Sequence, residues 1–126
     1  MFAGLQKTID SVIPAGYIAP IMSDPIYFIS DAHLGAAPLE DEQEKLSKLI
    51  PFLRGLRGRT PRLYIVGDLF DFWFEYRSTI LKQHFGVLHE LAGLVENGTH
   101  IVYLAGNHDF WLGSFLKEQI GVETMY

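Results

Sequence analysis

The chain has 126 residues, 48% of them apolar, enough for one buried core and too many for intrinsic disorder. Ten basic residues against fifteen acidic ones leave a net charge of −5, the opposite of the basic footprint of a nucleic-acid binder. There is no cysteine, which excludes disulfides and thiolate metal sites, so any metal must sit among oxygen and imidazole ligands.

Met1 to Pro20 holds a single basic residue, Lys7, and no long apolar run. It reads neither as a signal peptide nor as a spanning helix. Residues 1–25 are therefore expected to be an N-terminal extension ahead of a domain over residues 26–126. Ile26 to Ser30 is a short, continuous apolar run that predicts a strand buried on both faces. After a break at Gly35 to Pro38, Leu46, Leu49, Ile50 and Leu53 predict a helix from Leu39. Its first turn is acidic, Asp41–Lys45 and Glu44–Lys48 are spaced as ion pairs, and Pro51 should kink or unravel it. Arg54, Arg57, Arg59 and Arg62 read as a solvated helix end and turn. Leu63 to Val66 predicts a second strand. Leu81, Phe85, Leu88, Ala92 and Val95 predict a second helix stopped by Asn97-Gly98, and Ile101 to Ala105 a third strand. A short helix over Ser114 to Gln119 and a strand from Val122 complete the order. The fold class is α/β, a mostly parallel sheet with helices on both faces.

Each of the first three strands runs directly into a polar block: Asp31-Ala32-His33, Gly67-Asp68 continuing to Asp71, and Gly106-Asn107-His108-Asp109. The blocks recur about forty residues apart, the length of a strand–helix–strand unit. Ligands of open parallel sheets gather beyond the carboxyl ends of the strands, so the three blocks should converge on one crevice. Alternation along an extended segment puts Asp31 and His33 on one side, able to grip one cation. Asp68 has two oxygens and is the candidate bridge between two cations, and Asn107 offers a neutral amide oxygen to the second. His108 is expected to face the substrate and stabilise or protonate the leaving oxygen, with Asp109 holding the other ring nitrogen. Asp71 is assigned similar supporting work. No dinucleotide glycine fingerprint and no P-loop lysine motif occurs.

These three blocks, in this order and each after a strand, resemble the first three motifs of the calcineurin-like metallophosphoesterases. The longer strings, Phe28 to Gly35, Gly67 to Trp73 and Gly106 to Gly113, are similar to those of UDP-2,3-diacylglucosamine pyrophosphatases, over about Ile26 to Val122. The best-known branch of that group has Arg at the position of His108; this chain has the general superfamily histidine.

The resemblance implies a hydrolase with two divalent metal ions, manganese first and iron or zinc as alternatives. It implies a phosphoester or nucleotide-lipid substrate such as a UDP-diacylglucosamine, and a cytoplasmic protein able to touch the inner membrane peripherally. It also implies further histidine ligands in a later half, so the chain reads as the N-terminal half of such an enzyme, with little or no activity expected in this form. An unfinished sheet edge would invite a homodimer. The alternative from another class is a non-catalytic partner-binding module on the same fold. The aromatic run Phe70, Phe72, Trp73, Phe74 and Tyr76 reads as core and rim packing, or else as a groove for acyl chains.

Overall fold

The structure is a computed structural model that describes residues 24–126, so the expected N-terminal extension lies almost wholly outside the described residues. Four short strands form one sheet: β1 (Tyr27–Ile29), β2 (Arg62–Val66), β3 (His100–Leu104) and β4 (Glu123–Met125). They lie side by side in chain order and every pairing is parallel. Between them run α1 (Leu39–Gly55), α2 (Phe85–Glu96) preceded by a single 3-10 turn, and a π-helical turn at Leu116–Ile120. The expected parallel α/β order is present.

The helices were expected on both faces, but among the described residues they cover one. Register puts Tyr27, Leu63 and Ile101 in one row and Ile29, Ile65 and Tyr103 in another, on the same face. These residues share a single core with Leu53 and Leu56 at the end of α1, Leu91 and Leu94 of α2, and Leu116. The strand order explains it. Crossovers of one hand, each adding the next strand on the same side, leave every helix on the same face. On the other face Phe28, Val66, Leu104 and Met125 stay exposed, and Phe28 stacks on Tyr64. Among the described residues β1 is therefore an edge strand with one face open, not one buried on both.

Pro51 does not end α1, which continues to Gly55 because Leu53 and Leu56 are locked in the core and hold the last turn. Lys45 pairs with Glu42 instead of Asp41, while Glu44–Lys48 forms as expected. In α2 Phe85 turns outward, and the buried stripe is Val87, Leu88, Leu91 and Leu94. Asn97 and Gly98 close α2: Gly98 takes φ +90°, and the Asn97 side-chain amide donates to the Gly93 carbonyl at 2.7 Å.

Glu90 is an acid in the middle of that buried stripe, only 1% exposed. Arg54 reaches its Oε1 at 2.7 Å and Arg57 its Oε2 at 2.6 Å, so two arginines expected in solvent staple α1 to α2. Burial pushes the Glu90 carboxyl up, but its bond to Arg54 and the charges of both arginines outweigh this and hold it below the ordinary glutamate value. Folded Glu90 thus keeps its charge to lower pH than in the unfolded chain. Its pairing contributes stability above about pH 4.3 and loses it as pH falls through the lower folded value. Glu90→Gln is expected to cost about 1–3 kcal/mol in a urea titration at pH 7, with the difference from the parent shrinking below about pH 4.

Candidate metal centre

The three polar blocks lie at the carboxyl edge of the sheet, beyond β1, β2 and β3. The first two are zipped together past the strand ends. The Asp31, His33 and Leu34 amides donate to the carbonyls of Gly67, Asp68 and Leu69 at 3.3, 3.0 and 2.9 Å, and the Asp71 amide returns to the Leu34 carbonyl at 3.0 Å. From α1, Glu42 takes the amides of Gly35 and Ala37, and Lys45 donates to the His33 carbonyl. Burial pushes the Glu42 carboxyl up, but the amides of Gly35 and Ala37 and the Lys45 ammonium together hold it below its ordinary value.

Asp31, His33 and Asp68 have φ values of +53°, +44° and +52°, and among the described residues no other non-glycine has positive φ. A left-handed conformation of this kind costs about 1–3 kcal/mol and persists where the surroundings over-determine it, as active sites do. The expected strand alternation of Asp31 and His33 is thus replaced by two left-handed bends, yet the two side chains do meet. His33 Nε2 lies 3.7 Å from Asp31 Oδ1 and 4.0 Å from Asp68 Oδ2. These gaps exceed a hydrogen bond and fit within the ~4.2 Å reached by two metal–ligand bonds of ~2.1 Å. One ligand atom from each of the three lies within 4.8 Å of the others. Asp68 is nearly buried, and its Oδ1 is fixed by the His108 amide at 2.9 Å. Asn107 is exposed at the end of β3.

His108 and Asp109 part company. The expectation that Asp109 holds the His108 ring is corrected by its surroundings. Asp109 is fully buried, and its carboxylate accepts the amides of Asp68 (3.1 Å), Gly106 (2.9 Å) and Phe70 (3.3 Å) together with the Tyr103 hydroxyl. It points into the core, where these three loop amides converge on it. Asp71 stands there instead, and its backbone carbonyl, 3.2 Å from His108 Nδ1, is the ring's hydrogen-bond partner. Its Oδ1 lies 3.2 Å from His108 Nδ1 and 3.3 Å from His33 Nδ1, and the two rings meet edge-on, centroids 4.7 Å apart. A His33 ring that donates Nδ1–H to Asp71 turns its Nε2 lone pair toward Asp31 and Asp68. His33, Asp71 and His108 form a second group of ligand atoms within 4.8 Å.

Tyr103 is a participant that sequence reading missed, because it looks like any apolar residue of β3. Burial, reinforced by the Asp109 carboxylate, pushes its phenol far above the ordinary value, so it stays a protonated donor. The aromatic run divides by burial: Phe70 and Trp73 are core, whereas Phe72 and Tyr76 are exposed, as are Phe110 and Trp111 after the third block.

Comparison with known proteins gives the family. The profile of the calcineurin-like phosphoesterase family matches residues 24–124. The chain belongs to the calcineurin-like phosphoesterases. That family implies divalent metal ions, and the donor set of carboxylate oxygens and imidazole suits them. Among curated relatives, a UDP-2,3-diacylglucosamine hydrolase of Porphyromonas gingivalis is 38% identical over 82% of this chain and 39% of its own length. Proteins of the same name from Haemophilus influenzae and Neisseria meningitidis are 34% and 35% identical, each aligned over 40% of its own length. This phosphoesterase chain spans about 40% of the length of the curated relatives it matches. Among the described residues no helix is long and apolar enough to cross a membrane.

Proposed function

We propose that this chain carries the metal-holding portion of a hydrolase that cuts a phosphoester or pyrophosphate bond, with UDP-diacylglucosamine-type nucleotide lipids as the substrate class. The observation that carries the reading is the convergence of Asp31, His33 and Asp68, each in a left-handed conformation, on one point within 4.8 Å. The substrate class is supported by the names of the relatives. In this reading Asp31, His33 and Asp68 hold one divalent cation, while Asp68 and Asn107 hold a second, with manganese the first choice. Such ions supply Lewis acidity toward a phosphoryl oxygen and generate hydroxide near neutral pH. The chain's own part is orientation: Asp71 aims the His33 and His108 rings, and His108, 42% exposed, meets the substrate and stabilises or protonates the leaving oxygen. The open sheet face of Phe28, Val66, Leu104 and Met125 supports reading residues 26–126 as part of a domain that further chain completes.

The test is Mn2+-dependent hydrolysis of bis-p-nitrophenyl phosphate and of UDP-2,3-diacylglucosamine. It compares this chain with the chain extended to the length of its relatives. The extended form is expected to turn over both, and this chain little or nothing. His108→Ala in the extended form should lower kcat by about 100-fold or more while leaving Mn2+ affinity within a few-fold. An inert extended form that binds no metal would turn attention to protein partners instead.

A further inference from the structure

Tyr103 lies on the helix-covered face of the sheet, fully buried, with its ring stacked on Phe70 at 6.4 Å and 18°. Its hydroxyl donates to Asp109 Oδ2 and is the side-chain donor that this buried carboxylate receives. Asp109 in turn takes the amides of Asp68 and Gly106 on Oδ1 and that of Phe70 on Oδ2. One carboxylate therefore ties the turn after β2 to the turn after β3. Asp68 sits at the centre of that tie, in a conformation that only its surroundings maintain. The same aspartate has its own Oδ1 fixed by the His108 amide, so a shift of the turn would carry the carboxylate with it.

We propose that Tyr103 is a positioning residue for a divalent cation: through Asp109 it sets the backbone of Asp68 and so the place of the Asp68 carboxylate. The proposal rests on Asp68 being a metal ligand, as proposed above. Tyr103 touches neither metal nor substrate. Asp109 is the group bonded to Asp68 itself, and partners in that position typically change metal affinity by about 10–100-fold, so the Tyr103 hydroxyl, one bond further out, is expected at the lower end.

The test compares Tyr103→Phe with Thr99→Val in this chain. Thr99 is also buried on the neighbourhood of β3, and its hydroxyl donates to the Thr60 carbonyl at 2.9 Å, at the opposite end of the sheet from the three blocks. Each variant loses one buried hydroxyl donor, but only one of them lies on the path to Asp68. Mn2+ affinity is read from the electron paramagnetic resonance signal of the free ion, and Tm from circular dichroism. Both are measured in sucrose, which favours the folded state. Both variants should melt earlier than the parent. Mn2+ Kd should rise about 10-fold in Tyr103→Phe and stay unchanged in Thr99→Val. Equal Kd values in Tyr103→Phe and the parent, or equal rises in both variants, overturn the positioning role. A Tyr103→Phe chain that stays unfolded in sucrose overturns it too, since the phenol would then be a requirement of folding. If the parent itself binds no Mn2+, the metal reading of Asp68 fails first, and this inference with it.

Discussion

Asp68→Asn should leave the chain folded and remove its saturable Mn2+ binding. The substitution keeps the size of the side chain, and the amide oxygen still accepts the His108 amide now bonded to Asp68 Oδ1. The backbone bonds of residue 68, to Asp109 through its amide and to His33 through its carbonyl, are untouched. What changes is charge and donor capacity. One anionic oxygen facing His33 Nε2 becomes a neutral group, and the site loses a carboxylate able to serve two cations. Supporting residues alone typically cost about 10–100-fold in metal affinity, so loss of a direct ligand is expected to exceed about 100-fold. A Mn2+ titration by electron paramagnetic resonance at pH 7 decides it, beside a circular dichroism melt. An unchanged Kd would remove Asp68 from the site.

Gly106→Ala is the second large effect, and it acts on the fold and the site at once. A Cβ at residue 106 would stand 2.2 Å from Asp68 Oδ1 and 2.6 Å from the Asp68 amide nitrogen, a contact that no side-chain rotation relieves. Gly67, at φ +71°, faces it from the other side, where its own Cβ would come within 2.9 Å of the Gly106 Cα. The two glycines let the turns after β2 and β3 touch backbone to backbone, which brings Asp68 beside Asn107 and His108. Overpacking typically costs about 1–3 kcal/mol, and a clash against backbone belongs at the upper end. Tm should fall by roughly 5–15 °C, with Mn2+ affinity lost in the fraction that remains folded. Gly55→Ala is the contrast. It lies in the last turn of α1 with open space around it, so it should be neutral or stabilise by about 0.5–1 kcal/mol. Similar melts for the two alanine variants would refute the packing argument.

The sequence alone determined a good deal of this protein. Apolar runs of four or five residues ending in Asp, His and Asn, about forty residues apart, marked the parallel strands and the edge at which ligand-bearing side chains meet. Those signals are local, written in composition and periodicity, so Asp31, His33 and Asp68 could be nominated together. Only the tertiary structure decided which partner each side chain takes. Asp71 rather than Asp109 serves His108, Glu90 is buried because Arg54 and Arg57 reach it from another helix, and Tyr103 donates into the base of the site. It also decided that the helices share one face, through a strand order that no single segment encodes. The physical reason is the same in each case. Where a side chain points at a turn follows from individual φ values and from hydrogen bonds between residues some forty positions apart, such as Asp68 with Asp109. Hydrophobic periodicity carries no record of either.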